Sequence, residues 1–200
     1  MNGAPRLTRP ARRPSARAAL SVAGRTLRAM NSLHLEPWSA AGLPVLRRQN
    51  TPEMTAHLGG PETERAVADR HERYLRLTGG EMLLVRLGGT AIGSVGYWER
   101  EWNGEEVYET GYGILPEFGG HGYAAGALRL AAVRAAARGT RRRLHAFPHV
   151  DHAASNAVCR RAGFDLVGEV SFEYPKGTWQ RSHDWRLDLD SLDAPSAPDA

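Results

Sequence analysis

Pro116-Glu117-Phe118-Gly119-Gly120-His121-Gly122-Tyr123-Ala124 joins a run of β-type residues, Val107 to Leu115, to an Ala-rich segment that extends to about Arg138. Three glycines stand in four positions at the junction. Glycine lets the backbone enter positive φ and lets a ligand approach with no Cβ in the way. The first-turn N–H groups of a helix starting at Gly122 have no intrahelical partner, so with the helix dipole they offer an anion site fitted to a pyrophosphate. Two other readings of these glycines stay open. They can simply make a tight turn, and Gly120-x-Gly122-x-x-Ala125 also satisfies the G-x-G-x-x-G/A pattern of a dinucleotide-binding turn. That fold is a repeating βαβ series with an acid about 20 residues further on; here a meander precedes the turn and Arg141 to Phe147 contains no acid.

Upstream of the junction, the pattern turns regular at Leu43. Leu43 to Arg48 reads as a short strand, and Thr51 as the N-cap of a helix with Met54 on its apolar face. Gly59, Gly60 and Pro61 interrupt it, after which Glu62 to Leu77 carries Val67, His71, Tyr74 and Leu75 at helical spacing. Met82 to Arg86 and Ala91 to Glu99, joined by Gly88 and Gly89, read as a hairpin, and Val107 to Leu115 follows Asn103 and Gly104 as its third strand. Downstream come a strand near Leu144 to Phe147, a helix from about Ala153 to Ala162 that ends at Gly163, and strands Phe164 to Phe172 and Trp179 to Leu189. The expected order is βαα-βββ-αβ-α-ββ, an α/β fold.

Composition narrows the class. With 200 residues, 42% hydrophobic and 24% charged, the chain has the profile of one soluble globular domain. The most apolar helical segment, Ala124 to Val133, is broken by Arg129, so no membrane span is expected. One cysteine, Cys159, excludes an intrachain disulfide framework and a multi-cysteine zinc site. A cytoplasmic setting suits that usage. The net charge of +4 misleads, since residues 1–30 hold seven arginines and no acid; removing those seven from the 26 bases leaves 19 against 22 acids, or −3. A mildly acidic domain argues against a nucleic-acid partner.

Residues 1–41, rich in Arg, Ala, Pro and Ser without an apolar period, read as a disordered extension, residues 42–190 as the folded domain, and 191–200 as a C-terminal tail. The extension is open to three readings: a solvated tail, a segment upstream of a true start at Met30, or an Arg-rich targeting peptide.

The stretch Gly111 to Ala127 resembles the acyl-CoA-binding motif of the GNAT N-acetyltransferases, Gln/Arg-x-x-Gly-x-Gly/Ala: Gly122 and Ala124 match, and Gly119 stands where the family has Gln or Arg. Ser155-Asn156 and Arg161-Ala162-Gly163-Phe164 resemble its second half, N-x-x-S followed by a Gly-Phe pair, with His152 replacing the Asn. The likeness covers about Leu43 to Leu189. It implies a mixed, mostly antiparallel sheet flanked by helices and splayed between Val107–Leu115 and Leu144–Phe147, with acetyl-CoA as co-substrate, no metal, an amine acceptor on a small molecule or a peptide or protein N-terminus, no membrane, and a monomer or homodimer. A non-catalytic acyl-CoA-binding module is the alternative.

The resemblance also assigns roles. Cofactor contacts fall to Ile114, Leu115, Gly119, Gly120, His121, Gly122, Tyr123, Ala124, Ser155 and Asn156. The pantetheine arm would pair like an extra strand near Ile114 and Leu115, and an N–H near Leu115 would meet the developing oxyanion. An alkyl ammonium must lose a proton before it attacks a thioester, and Glu109, within the third strand, is the first candidate base. Many relatives protonate the leaving thiolate with a tyrosine four residues before the Gly-Phe pair; Cys159 stands there, and Ser155 is another donor. His145, His149, Asp151 and His152 have a spacing open to metal binding, though a second ligand set is lacking. Arg141 to Arg143 is a solvated run or an attractor for the 3′-phosphate of CoA.

Overall fold

The computed structural model describes residues 33–192. The readings of residues 1–32 and of the last eight residues lie outside them. In chain order the elements are β1 (Leu33–Pro37), α1 (Gly42–Gln49), α2 (Pro52–Thr55), α3 (Glu64–Leu75), β2 (Gly80–Leu87), β3 (Thr90–Trp102), β4 (Glu105–Ile114), α4 (Tyr123–Arg138), β5 (Arg143–Ala146), α5 (Ala153–Ala162), β6 (Asp165–Glu173) and β7 (Trp179–Asp188). The seven strands form one sheet in the order β1-β2-β3-β4-β5-β7-β6. Only β4 and β5 pair in parallel; every other neighbour is antiparallel.

Two expectations need correction. Leu43 to Arg48 is helical. Pro44 falls in the first turn, where its missing N–H is tolerated, and Val45 and Leu46 are buried together with Val67, Met82 and Leu84. The first strand lies earlier, inside the segment expected to be an extension: Leu33 pairs with Leu87 and Pro37 with Leu83, and the Trp38 N–H donates to the Met82 carbonyl at 3.0 Å. The folded unit therefore starts at least as early as Leu33, and the order becomes β-ααα-βββ-αβ-α-ββ.

Local chemistry accounts for the helix limits. Thr51 and Thr63 accept from the N–H groups of Met54 and Ala66, capping α2 and α3. At the end of α5 the Phe164 N–H reaches back to the Cys159 carbonyl at 3.1 Å, a Schellman closure. Alternation along β2 divides the core: Leu83 and Val85 pack with Tyr123, Ala127 and Ala131 of α4, whereas Met82 and Leu84 pack with α1 and α3. The sheet thus carries α4 and α5 on one face and α1 to α3 on the other.

The joint between β4 and β5 positions the site. Their pairing is limited to Tyr108↔Leu144 and Glu109↔His145. Beyond Glu109, β4 runs on to Ile114 beside β3 alone, and β5 stays with β7, so a wedge opens between them.

Candidate active site

The backbone of β4 forms one wall of the wedge. Leu115 donates its N–H to the Ile92 carbonyl at 2.8 Å, and on the other edge of β3 Glu99 donates to Gly79 at 2.8 Å. Strict alternation between these two contacts turns Glu109, Gly111 and Gly113 toward β3 and the N–H and C=O groups of Thr110, Tyr112 and Ile114 toward the wedge. An oxyanion donor was expected near Leu115; the N–H of Leu115 itself is engaged within the sheet and its side chain is buried. Ile114 and Tyr112 are the wedge-facing backbone positions next to the glycine turn.

β4 leads into the glycine turn. Gly119 donates to the Pro116 carbonyl at 2.9 Å, which closes a single 3₁₀ turn, and Gly120 and Gly122 then take φ of +76° and +82°. A Cβ built at either position meets nothing within 4 Å, so it is the left-handed backbone, not crowding, that asks for glycine there. Gly122 caps α4 with no side-chain hydrogen bond, and the first turn holds no acid. Its N–H groups and dipole are therefore available to an anion. His121 is exposed and stacks on Tyr123 with centroids 5.6 Å apart; the Tyr123 ring is buried in the core, while Ala124 is half-buried.

α5 forms the other wall and brings together residues that lie far apart in sequence. The Tyr112 hydroxyl, from β4, lies 2.9 Å from Ser155 Oγ, 3.2 Å from Cys159 Sγ and 3.0 Å from the Ser155 carbonyl, to which it donates. Burial pushes the Tyr112 phenol well above its ordinary 10 and the Cys159 thiol up to about 11, so both hold their protons at neutral pH. Nothing local in the sequence points to this cluster, because the partners of Tyr112 are 43 and 47 residues away.

Asn156 is fully committed to protein. Its amide group donates to the carbonyls of His149 (3.0 Å) and His152 (2.9 Å), and its oxygen accepts from Trp185 Nε1 at 2.8 Å and lies 2.7 Å from His183 Nδ1. It braces the wall and has no donor left for an arm in the wedge.

Glu109 lies on the opposite face of the sheet from Tyr112. Only 9% exposed, it is paired with Arg100 at 2.5 Å, and the Arg100 guanidinium packs 4.5 Å from the Phe172 ring and 5.7 Å from those of Trp102 and Phe147. Burial raises the Glu109 carboxyl, and Arg100 opposes that shift. A carboxylate whose lone pairs already meet a guanidinium is a poor acceptor for another proton.

Arg141 pairs with Glu99 and Glu106, Arg142 with Asp190 and Arg143 with Glu105. They border a concavity of about 450 Å³ with Val107 and Thr140, at the start of β4. The nine steps from Glu105 to Ile114 span roughly 30 Å, which separates this basic run from the glycine turn. Among the described residues no group of three or more His, Cys, Asp or Glu is arranged to hold a metal ion.

Comparison with known proteins fits this geometry. The family model described as an acetyltransferase (GNAT) domain matches residues 32–165. No curated protein sequence matches the chain. Among solved structures, the Salmonella typhimurium acetyltransferase that modifies the N-terminal serine of ribosomal protein L7/L12 superposes with a TM-score of 0.65 at 20% identity, covering 78% of this chain and 95% of that one. Spermidine N-acetyltransferase from Vibrio cholerae, in complex with CoA and spermine, gives 0.66 at 15%, covering 80% and 97%. Aminoglycoside acetyltransferase AAC(6')-Ib, in complex with ribostamycin and coenzyme A, gives 0.67 at 16%, covering 84% and 99%. At such identities the likeness is one of fold.

Proposed function

The chain belongs to the GNAT acetyltransferase family of acyl-CoA-dependent transferases, and from that premise we propose that it moves the acetyl group of acetyl-CoA to a primary amine of a small molecule or of a peptide or protein N-terminus by direct attack. One observation carries the reading: the wedge-facing backbone of Tyr112 and Ile114 runs into a glycine turn whose positive-φ residues bare the N-terminus of α4. The pyrophosphate would bind the N–H groups of that turn, from Gly120 to Ala124, with His121 beside them. The pantetheine arm would lie along β4 and pair with its open backbone groups as an added strand would. Gly119 offers no side chain to the phosphates, so the backbone carries that contact.

Thiolate departure would be served by the hydroxyl pair Tyr112–Ser155. Both groups are protonated, they bond to one another, and they sit at Cys159, where many relatives carry their tyrosine. In this chain the phenol arrives from β4 and not from α5. Cys159, buried and held protonated, packs beneath the pair.

A thiol-release assay with acetyl-CoA and a panel of acceptors, namely a peptide with N-terminal serine, spermidine and ribostamycin, tests the proposal, with mass spectrometry of the product. Acceptor-dependent thiol release with one acetyl group gained supports it. Acetyl-CoA binding without release, across a panel widened to amino acids and further peptides, favours the acyl-CoA-binding module instead.

A further inference from the structure

Three imidazoles meet at the mouth of the wedge. His57, in the turn after α2, stacks on His152 with ring centroids 4.6 Å apart and planes 25° apart, and on His149 at 5.2 Å and 23°. The stack joins the two walls. On the β4 side, α1 and α2 cover Gly113: Gln49 donates to its carbonyl at 2.8 Å, and Met54 comes within 3.7 Å of where its Cβ would be. His57 follows Met54 by three residues. On the other side, His152 caps α5 three residues before Ser155, whose hydroxyl meets Tyr112.

The surroundings fix this arrangement. Asn156 holds the carbonyls of His149 and His152, and the Asp151 N–H donates to His149 Nδ1 at 3.1 Å, which leaves the proton of the neutral ring on Nε2. Imidazole lone pairs lie in the ring plane, so rings stacked face to face cannot converge them on one ion. That geometry turns the metal reading of this histidine-rich segment into another one.

We propose that His57, His149 and His152 form the proton-accepting station for the acceptor amine, a role that rests on the transferase reading above. The acceptor's ammonium gives one proton to an imidazole nitrogen of the stack. Its freed lone pair forms the C–N bond as the C–S bond of the thioester breaks. The second nitrogen proton passes through Tyr112 and Ser155 to the departing thiolate, and the imidazolium proton goes to solvent. Burial, and then His57 and His149, hold His152 below its ordinary 6.5. Of the charged and titratable groups on the neighbouring segments, Asp151 of the same loop lies 3.8 Å from His149 Nδ1, His183 of β7 lies 2.7 Å from Asn156 Oδ1, and the Arg181 guanidinium is paired with Glu169. Glu109 is left to anchor Arg100.

The test compares the wild type with His57→Gln, His152→Ala and their double variant, measuring acetyl-CoA affinity by calorimetry and the pH profile of thiol release with the acceptors named above. The double variant should bind acetyl-CoA as the wild type does, lose about 100-fold in kcat and lose the acidic limb of the kcat/KM profile, and added imidazole should rescue His152→Ala. A double variant with an unchanged rate and profile overturns the proposal while leaving the transferase reading intact. A folded wild type that binds no acetyl-CoA removes both. If acetyl-CoA binds and no acceptor reacts, NMR titration of the histidine rings with CoA decides: ring signals of His57, His149 and His152 that shift on CoA binding support the station, and signals indifferent to CoA overturn it.

Discussion

Tyr112 is the residue on which the chemical reading turns. Tyr112→Phe removes one hydroxyl that serves Ser155, its carbonyl and Cys159 together. Steady-state kinetics should show kcat down by one to two orders of magnitude with acetyl-CoA affinity unchanged, and denaturant unfolding a loss of about 1 kcal/mol. An unaltered kcat would mean that the hydroxyl only ties β4 to α5. Cys159 gives a second expectation at this scale. Its thiol is buried and raised to about 11, and since only the thiolate reacts, an aromatic disulfide reagent at pH 8 should leave it untouched until the protein unfolds. Rapid titration of native protein would contradict its placement beneath Tyr112.

Among the elements, α5 and the loop before it hold the most information. Asn156 makes four contacts that join α5, β7 and the loop carrying His149 and His152. Asn156→Ala leaves two carbonyls and the Trp185 N–H without their partner, so chemical denaturation should show a loss of roughly 2–4 kcal/mol, above the usual range for one hydrogen bond. An effect under 1 kcal/mol would mean that water replaces the amide. The same loop ties stability to pH. A histidine whose folded pKa lies below the unfolded value contributes fully above pH 6.5 and loses that contribution as the pH falls through the lowered value. Thermal unfolding should therefore show the wild type losing more stability than His152→Gln from pH 6.5 downward.

These elements also show what a sequence discloses. α5 was legible to the residue, because Gly163 stops it and the apolar spacing precedes it. The β2–β3 hairpin and the helix after the glycine turn were equally plain. Leu43-Pro44-Val45-Leu46 was not, since a short apolar run looks the same in a strand and in a buried helix until its partners are known. β1 was hidden by brevity: Leu33 and Leu35 alternate over five residues beside an Arg-rich stretch, and only pairing with β2 makes them a strand. The glycine turn was legible as a local pattern. The Tyr112 cluster and the imidazole stack were not, being built across a wedge from residues that only the fold brings together.

At the scale of the whole molecule, one sheet is shared by two packed faces, and the site exists because β4 and β5 separate after Glu109. β1 is an edge strand, yet it covers the β2 edge next to Leu83 and Val85, both fully buried. Deleting residues 33–41 together with all that precedes them should lower the melting temperature by several degrees and promote association through the bared edge, as sedimentation would show. A truncated chain as stable as the whole would restore the domain boundary expected from composition.

The transferase reading requires the wedge and its glycine turn to bind acetyl-CoA. Isothermal titration of the full chain with acetyl-CoA, with NADPH as the control ligand, tests it most directly, alongside Gly122→Trp. Gly122 faces open space, so the substitution strains φ by about 1–2 kcal/mol without a clash inside the protein, and its bulk lies where a phosphate would approach. The expected result is one saturable site for acetyl-CoA on the wild type, none for NADPH, and loss of binding in a variant that remains folded. A folded wild type that takes up NADPH and no acetyl-CoA would contradict the account and return the turn to dinucleotide recognition.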